Sequence, residues 1–161
     1  FSGVAGRIDP RIEIGDVIIG DSLIQYDYGM LKNREMRLFR PGSIPIGESK
    51  NKIEFRLHPK IRRKIKGSLL NVRMGTILTG DVYLQCEGTQ KKLFEKYGAQ
   101  AIDMEGAAVA QVAEQFGIPS VVVRSVSDLA GADIQKISSK FLNKAAKQSF
   151  NTVQKILKIL L

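Results

Sequence analysis

The feature that most constrains this chain is the run Val121-Val122-Val123 inside residues 120–126, bounded by Pro119 before it and by Ser127-Asp128 after it. It is too short to span a membrane, and it lacks the alternation of a strand with one wet face. Such a strand needs cover on both faces, which in globular proteins means helices packed on either side of a sheet. The rest of the chain supplies that cover. Ile61, Ile65 and Leu69 recur every four positions within residues 58–70 and mark one helical face. Residues 89–97 read as a helix stopped by Gly98, and the alanine-rich stretch 106–116 as another, stopped by Gly117 and Pro119. Ile134, Ile137, Phe141, Ala145, Phe150, Val153, Ile156 and Leu160 fit an amphipathic helical region up to the C-terminus.

Between these helices, residues 16–20, 22–26, 72–79 and 101–103 read as strands, β-branched or apolar and bounded by Gly and Asp. Strands alternating with helices predict an α/β domain, a three-layer sandwich with a central mixed sheet flanked by helices. Residues 28–49, broken by Gly29, Pro41, Gly42, Pro45 and Gly47, read as a long irregular connection. A connection of that length is usually a functional loop or a disordered one. The opening Phe1-Ser2-Gly3-Val4-Ala5-Gly6 reads as a glycine-rich turn with almost no strand before it. The expectation is therefore one domain over residues 1–161, starting inside the fold and lacking N-terminal strands.

Composition narrows the chemistry. The chain has one cysteine, Cys86, and one histidine, His58. That excludes an internal disulfide framework, zinc sites built from several thiolates and multi-histidine metal centres, and it suits a reducing cytoplasm. No stretch is long and apolar enough to suggest a membrane span. The net charge of +9 favours encounters with anions without specifying one. In α/β sheets the ligand usually sits outside the carboxyl ends of the strands, and two acids stand there: Glu105 after residues 101–103, and Asp128 after residues 120–126. Carboxylates facing a shared crevice suit proton donation when partial burial raises a pKa. The plainer alternative is that both are N-terminal helix caps.

Gly3-Val4-Ala5-Gly6, Ile14-Gly15-Asp16-Val17, Thr79-Gly80-Asp81, Asp103-Met104-Glu105-Gly106-Ala107-Ala108 and Val123-Arg124-Ser125-Val126-Ser127-Asp128 occur in that order. Together they resemble the methylthioadenosine/S-adenosylhomocysteine nucleosidases and related nucleoside phosphorylases, over essentially the whole chain. The resemblance implies cleavage of the bond between ribose and adenine through an oxocarbenium-like transition state, with no metal and no organic cofactor. Asp128 then matches the acid that hydrogen-bonds or protonates N7 of the departing purine, which stabilises charge only as it develops. Ser127 would position that carboxyl, and Arg124 would lie near the water or anion side of the ribose. Glu105 would accept hydrogen bonds from the ribose hydroxyls, and Met104 would pack on the sugar. Tyr83 would stack on the purine, the Leu84 backbone would read the base edge, and Gly6 belongs to the turn beside the ribose. The resemblance further implies a cytoplasmic homodimer in which a neighbour closes the 5' side, through residues 28–39.

Two departures stand out. Val4 occupies a position where some relatives have a hydroxyl, and Arg7 one where they have a second glycine. In the hydrolytic branch a glutamate on the first strand activates the attacking water; that strand would precede the glycine-rich turn, so no residue here takes its role. Asp128 suits an adenine or broad-specificity pocket, which favours hydrolysis over a purine phosphorylase using phosphate.

Other readings come from residues outside these motifs. Arg56, His58, Lys60, Arg62, Arg63, Lys64 and Lys66 crowd one region and could hold a polyanion. The alternative is the solvated face of a helix, and no aromatic residues interleave the charges for base stacking. His58, preceding Pro59, reads as a turn residue, and Cys86 as a packing residue beside the following helix. An inactive relative kept for binding is a third reading, against which Asp128, Glu105 and Arg124 together argue.

Overall fold

The structure is a computed structural model that describes residues 1–47, 52–69, 72–128 and 139–161. In chain order it contains β1 (Ser2–Arg7), β2 (Val17–Gln25), β3 (Gly29–Lys32), β4 (Glu35–Leu38), β5 (Phe55–Arg56), α1 (Pro59–Ser68), β6 (Arg73–Thr79), α2 (Glu87–Tyr97), β7 (Ala101–Asp103), α3 (Gly106–Gln115), β8 (Val123–Asp128) and α4 (Ser139–Leu160). The fold is mixed α/β, as the alternation of patterns predicts.

The main sheet has the order β5-β2-β6-β7-β1-β8, with parallel and antiparallel neighbours. β2 gives one edge to β6 along most of its length. It divides the other edge, pairing β8 through residues 17–19 and β5 through residues 22 and 23. The β2–β8 pairing joins the far end of the sheet back to β2, so the strands close on themselves. A register shift between Gly20 and Ser22 makes this possible, since a bulge bends a strand and increases its twist. The two short strands expected over residues 16–26 are therefore one strand with an irregularity at Gly20-Asp21.

Successive residues of a strand face opposite sides, and β2 displays this directly. Ile18 enters a core cluster with Ile77, Val126 and the α3 alanines Ala107 and Ala110. Ile19 enters a different cluster with Val123, Ile65 of α1 and Ile156 of α4. A third cluster joins Leu93 of α2 to Ile24, Leu78 and Ile102. All six residues of β8 are buried, as the valine run requires. The strand begins at Val123 rather than at residue 120, and it takes in Ser127 and Asp128, which were expected to follow it.

Two further expectations are corrected. Residues 3–6 are not a turn: β1 runs parallel to β8, with Ser2 beside Val123 and Ala5 beside Val126, and pairs β7 on its other edge. Its glycines serve close packing within the sheet. Residues 28–49 are not irregular throughout, because β3 and β4 form a hairpin with Leu31 opposite Met36. Its turn places Asn33 and Arg34 at φ of 52° and 65°. Two left-handed residues are what a tight hairpin demands, and Arg at the second is an uncommon choice that hides the turn in the sequence. Ser49, Leu70, Gly131, Ile134 and Ile137, which figured in the expected loops and helices, lie outside the described residues.

Among the described residues no helix is long and apolar enough to cross a membrane. Ile18 is fully enclosed whereas Ile46 stands exposed. Ile18→Ala should therefore lower unfolding free energy by about 2–5 kcal/mol, and Ile46→Ala by no more than about 0.5 kcal/mol, as read from urea-denaturation midpoints of the two variants.

Candidate active site

The carboxyl ends of β7 and β8 lie close together because β1 pairs with both: Gly6 stands opposite Ile102 on one side and Asp128 on the other. Around this point the chain forms a small cleft of about 30 Å³, lined by Gly6, Val82, Tyr83, Leu84, Ile102, Asp103, Met104 and Asp128. Five residues singled out from the sequence (Gly6, Tyr83, Leu84, Met104 and Asp128) thus share one cavity. Larger hollows exist. The one between α1 and α3, about 510 Å³, is mostly apolar in its lining. Its acids are engaged in ion pairs, Asp21 with Arg62 at 2.6 Å and Glu114 with Arg40 at 2.6 Å.

Asp128 ends β8 with its residue 9% exposed. The Ser127 hydroxyl lies 2.9 Å from Asp128 Oδ2 and 3.4 Å from the Ala5 carbonyl, and donates to the carboxylate in the shorter contact. Tyr83 and Met104 resolve differently from ordinary core side chains. They are 40% and 42% exposed, and both face the cleft. Leu84, by contrast, buries its side chain in the cluster with Leu78 and Ile102, which leaves its backbone as the part available to a ligand. Burial raises the Tyr83 phenol above its ordinary range, and the Asp128 charge raises it further.

Arg124 occupies the wall of this region. Its side chain is 2% exposed, with Nε donating to Asp103 Oδ2 at 2.6 Å and an Nη2 hydrogen bond to Glu105 Oε2 at 3.1 Å. Arg124 is on β8 and Asp103 on β7, with β1 between them, so the guanidinium must cross β1. It crosses at Gly3, its direct partner in register. A Cβ at Gly3 would collide with Arg124 Nη1. The Phe1 ring lies over the guanidinium, 4.5 Å from centroid to Cζ.

Glu105 stands at the backbone N-cap position of α3 but makes no side-chain capping bond. Asp103 caps the helix in its place. Its Oδ1 accepts from the Gly106 N–H at 3.1 Å and from the Thr79 hydroxyl at 2.6 Å. Thr79 Oγ1 in turn accepts from the Ala107 N–H at 2.9 Å. The Glu105 side chain remains 60% exposed, held only at its tip by Arg124 among the contacts described. Asp128 closes a strand, and α4 begins at Ser139. Neither acid is therefore a simple side-chain cap of the helix it was suspected of capping. Asp103 and Thr79 lie inside the quoted motifs, yet sequence reasoning assigned no role to either; the available signal was an acid two residues before Glu105.

The basic stretch does not form a site of comparable order. Arg56 pairs with Glu54 and Arg62 with Asp21, while Lys60, Arg63, Lys64 and Lys66 are exposed along α1. His58 is the N-cap of α1, ahead of Pro59, without a side-chain capping bond. Cys86 is exposed at the N-cap of α2 rather than packed, and the Thr89 hydroxyl beside it lowers its thiol below the ordinary value. Among the described residues, no three His, Cys, Asp or Glu side chains are grouped to hold a metal.

The sequence profile of the phosphorylase superfamily matches residues 1–158. The chain belongs to that superfamily. A 5'-methylthioadenosine/S-adenosylhomocysteine nucleosidase of Mycobacterium bovis is 36% identical over 178 residues, covering 99% of this chain and 70% of the relative. An aminodeoxyfutalosine nucleosidase of Campylobacter jejuni is 33% identical, covering 97% and 66%. The crystal structure of a Helicobacter pylori 5'-methylthioadenosine/S-adenosylhomocysteine nucleosidase superposes with a TM-score of 0.81 at 28% identity, over 98% of this chain and 66% of that one. The resemblance expected from the motifs is borne out, and the chain spans about two thirds of the length of these relatives.

Because burial is the larger cause of the Tyr83 shift and Asp128 the smaller, Asp128→Asn should lower the Tyr83 midpoint without returning it to that of a free phenol. Ultraviolet absorbance titration, with Tyr83→Phe to identify the transition among the four tyrosines, measures this.

Proposed function

We propose that the protein hydrolyses the N-glycosidic bond of an adenine nucleoside of the 5'-methylthioadenosine/S-adenosylhomocysteine type and releases adenine. The observation that carries this reading is the meeting of Tyr83, Met104, Gly6 and Asp128 in one cleft, with Asp103 in the same wall joined through Arg124 to Glu105. The names of the relatives support it.

In this reading the purine stacks on Tyr83 with its edge toward Asp128. Ser127 fixes the carboxyl through Oδ2, so the acid meets N7 without having to reorient as negative charge flows into the base. Glu105, held by Arg124, takes the ribose hydroxyls, and Met104 covers the sugar. Gly6 lets the backbone approach closely. None of these residues is assigned the activation of water. The three-layer sandwich, the homodimer whose neighbour closes the 5' side and a cytoplasmic location belong to the same reading.

Phosphorolysis is the alternative that the superfamily offers. It needs a cationic cradle for phosphate, and the buried cation at this wall, Arg124, already faces two carboxylates. One guanidinium between two acids leaves the cluster negative, which repels an incoming dianion. That favours water as the nucleophile.

The test is incubation of the natural full-length protein with methylthioadenosine, with and without phosphate. Free methylthioribose in both supports hydrolysis; its 1-phosphate, formed only with phosphate, overturns it. Asp128→Asn should reduce turnover by about 10²–10³-fold with an unchanged circular dichroism spectrum, and full activity in that variant would refute the role of the acid.

A further inference from the structure

We infer that Asp103 is a positioning residue for ribose recognition: it caps α3 in place of Glu105 and anchors Arg124, so that the Glu105 carboxylate is left free for the sugar and held in one place. This rests on the nucleosidase reading above.

Both oxygens of Asp103 are engaged. One takes the Thr79 hydroxyl and the Gly106 N–H, and the other takes Arg124 Nε. A helix N-terminus presents unsatisfied N–H groups, and the residue at the N-cap normally satisfies one of them with its side chain. At α3 that residue is Glu105, and its carboxylate does not do so. Asp103, two residues earlier, reaches the Gly106 N–H instead, while Thr79 receives the Ala107 N–H. The helix start is satisfied without Glu105.

An acid released from capping and 60% exposed would sample many rotamers in water. Arg124 limits it through the Nη2 contact to Oε2. Arg124 is itself fixed by Asp103 at Nε and by the bare Gly3 backbone beneath Nη1. A planar guanidinium held at one nitrogen and wedged against a strand keeps its other nitrogens in fixed directions, which a lysine could not do. The order of constraint thus runs from Thr79 and the α3 terminus, through Asp103 and Arg124, to Glu105 and the sugar hydroxyls.

Asp103→Asn tests this, because the amide oxygen can still accept from Thr79 and Gly106 while the amide nitrogen cannot accept from Arg124 Nε. The readout is the ratio of kcat/KM for methylthioadenosine to that for its 2'-deoxy analogue, measured on the full-length protein. Loss of folded enzyme lowers both values equally and leaves the ratio unchanged; loosening of Glu105 lowers the ratio. Asp103→Asn should lower it by about tenfold or more, the scale of one charge-assisted hydrogen bond. Glu105→Gln should lower it similarly, and the double variant little further. Should Asp103→Asn not fold, Arg124→Lys, which keeps the charge but not the fork, should show the same fall. A wild-type ratio in an active Asp103→Asn or Arg124→Lys enzyme overturns the inference alone. A wild-type protein that cleaves neither nucleoside overturns the nucleosidase reading and the inference with it.

Discussion

A guanidinium removed from water is the constraint on which the rest of this site depends. Arg124 loses nearly all its solvent, and an uncompensated buried ion costs several kcal/mol. The fold answers by bringing acids from another strand: Asp103 at the end of β7, and Glu105 just beyond it. Reaching them requires crossing β1, which in turn requires a residue without a side chain at position 3. The pairing of β1 with both β7 and β8 is therefore not only a matter of sheet topology. It sets the distance over which one arginine can hold two carboxylates.

The same sheet arrangement explains why Asp128 and Asp103 share a cleft although 25 residues separate them in the chain. Both end strands, and β1 lies between those strands with Gly6 opposite Asp128 and Ile102. The closure of the sheet through the bulge of β2 pins the start of β8, where Ile18 pairs with Arg124. A carboxylate that terminates a strand buried along its whole length is far less mobile than one on a loop. Proton delivery benefits from that rigidity, since a misplacement of about 1 Å is enough to cost much of the rate.

Much of this was legible in the sequence, for physical reasons that differ from residue to residue. The valine run declared a doubly covered strand because no other environment suits three β-branched residues in succession. The helices from Ile61 and Ile65 and from the alanines of α3 followed from periodicity. Tyr83, Met104 and Asp128 were readable because their motifs recur in a family whose chemistry needs them. What escaped were features decided by partners distant in sequence. Phe1 to Gly6 carries the glycines of a turn, but pairing on both edges makes it a strand. Asn33-Arg34 forms a hairpin turn that the usual glycine would have announced. Gly20-Asp21 looked like a break and is a bulge, because β6 continues to pair on both sides of it. Asp103 looked like the end of a short strand, and only the position of Thr79, 24 residues earlier, reveals what it holds.

The division of labour between two acids two residues apart follows from these contacts. A carboxylate can satisfy a helix terminus or grip a ligand, but a capping geometry turns its oxygens back toward the backbone and away from the cleft. At α3 the backbone places Glu105 where a cap belongs, and a cap there would withdraw it from the sugar. Asp103 is shorter by one methylene and sits in the last position of a strand already fixed by β6 and β1. It reaches the terminus from the sheet side, where no ligand can lie. The longer acid is thereby left to the solvent-facing side, with the arginine as its guide. The sequence order Asp-Met-Glu, rather than its reverse, matches that geometry: the short acid belongs to the sheet and the long one to the cleft.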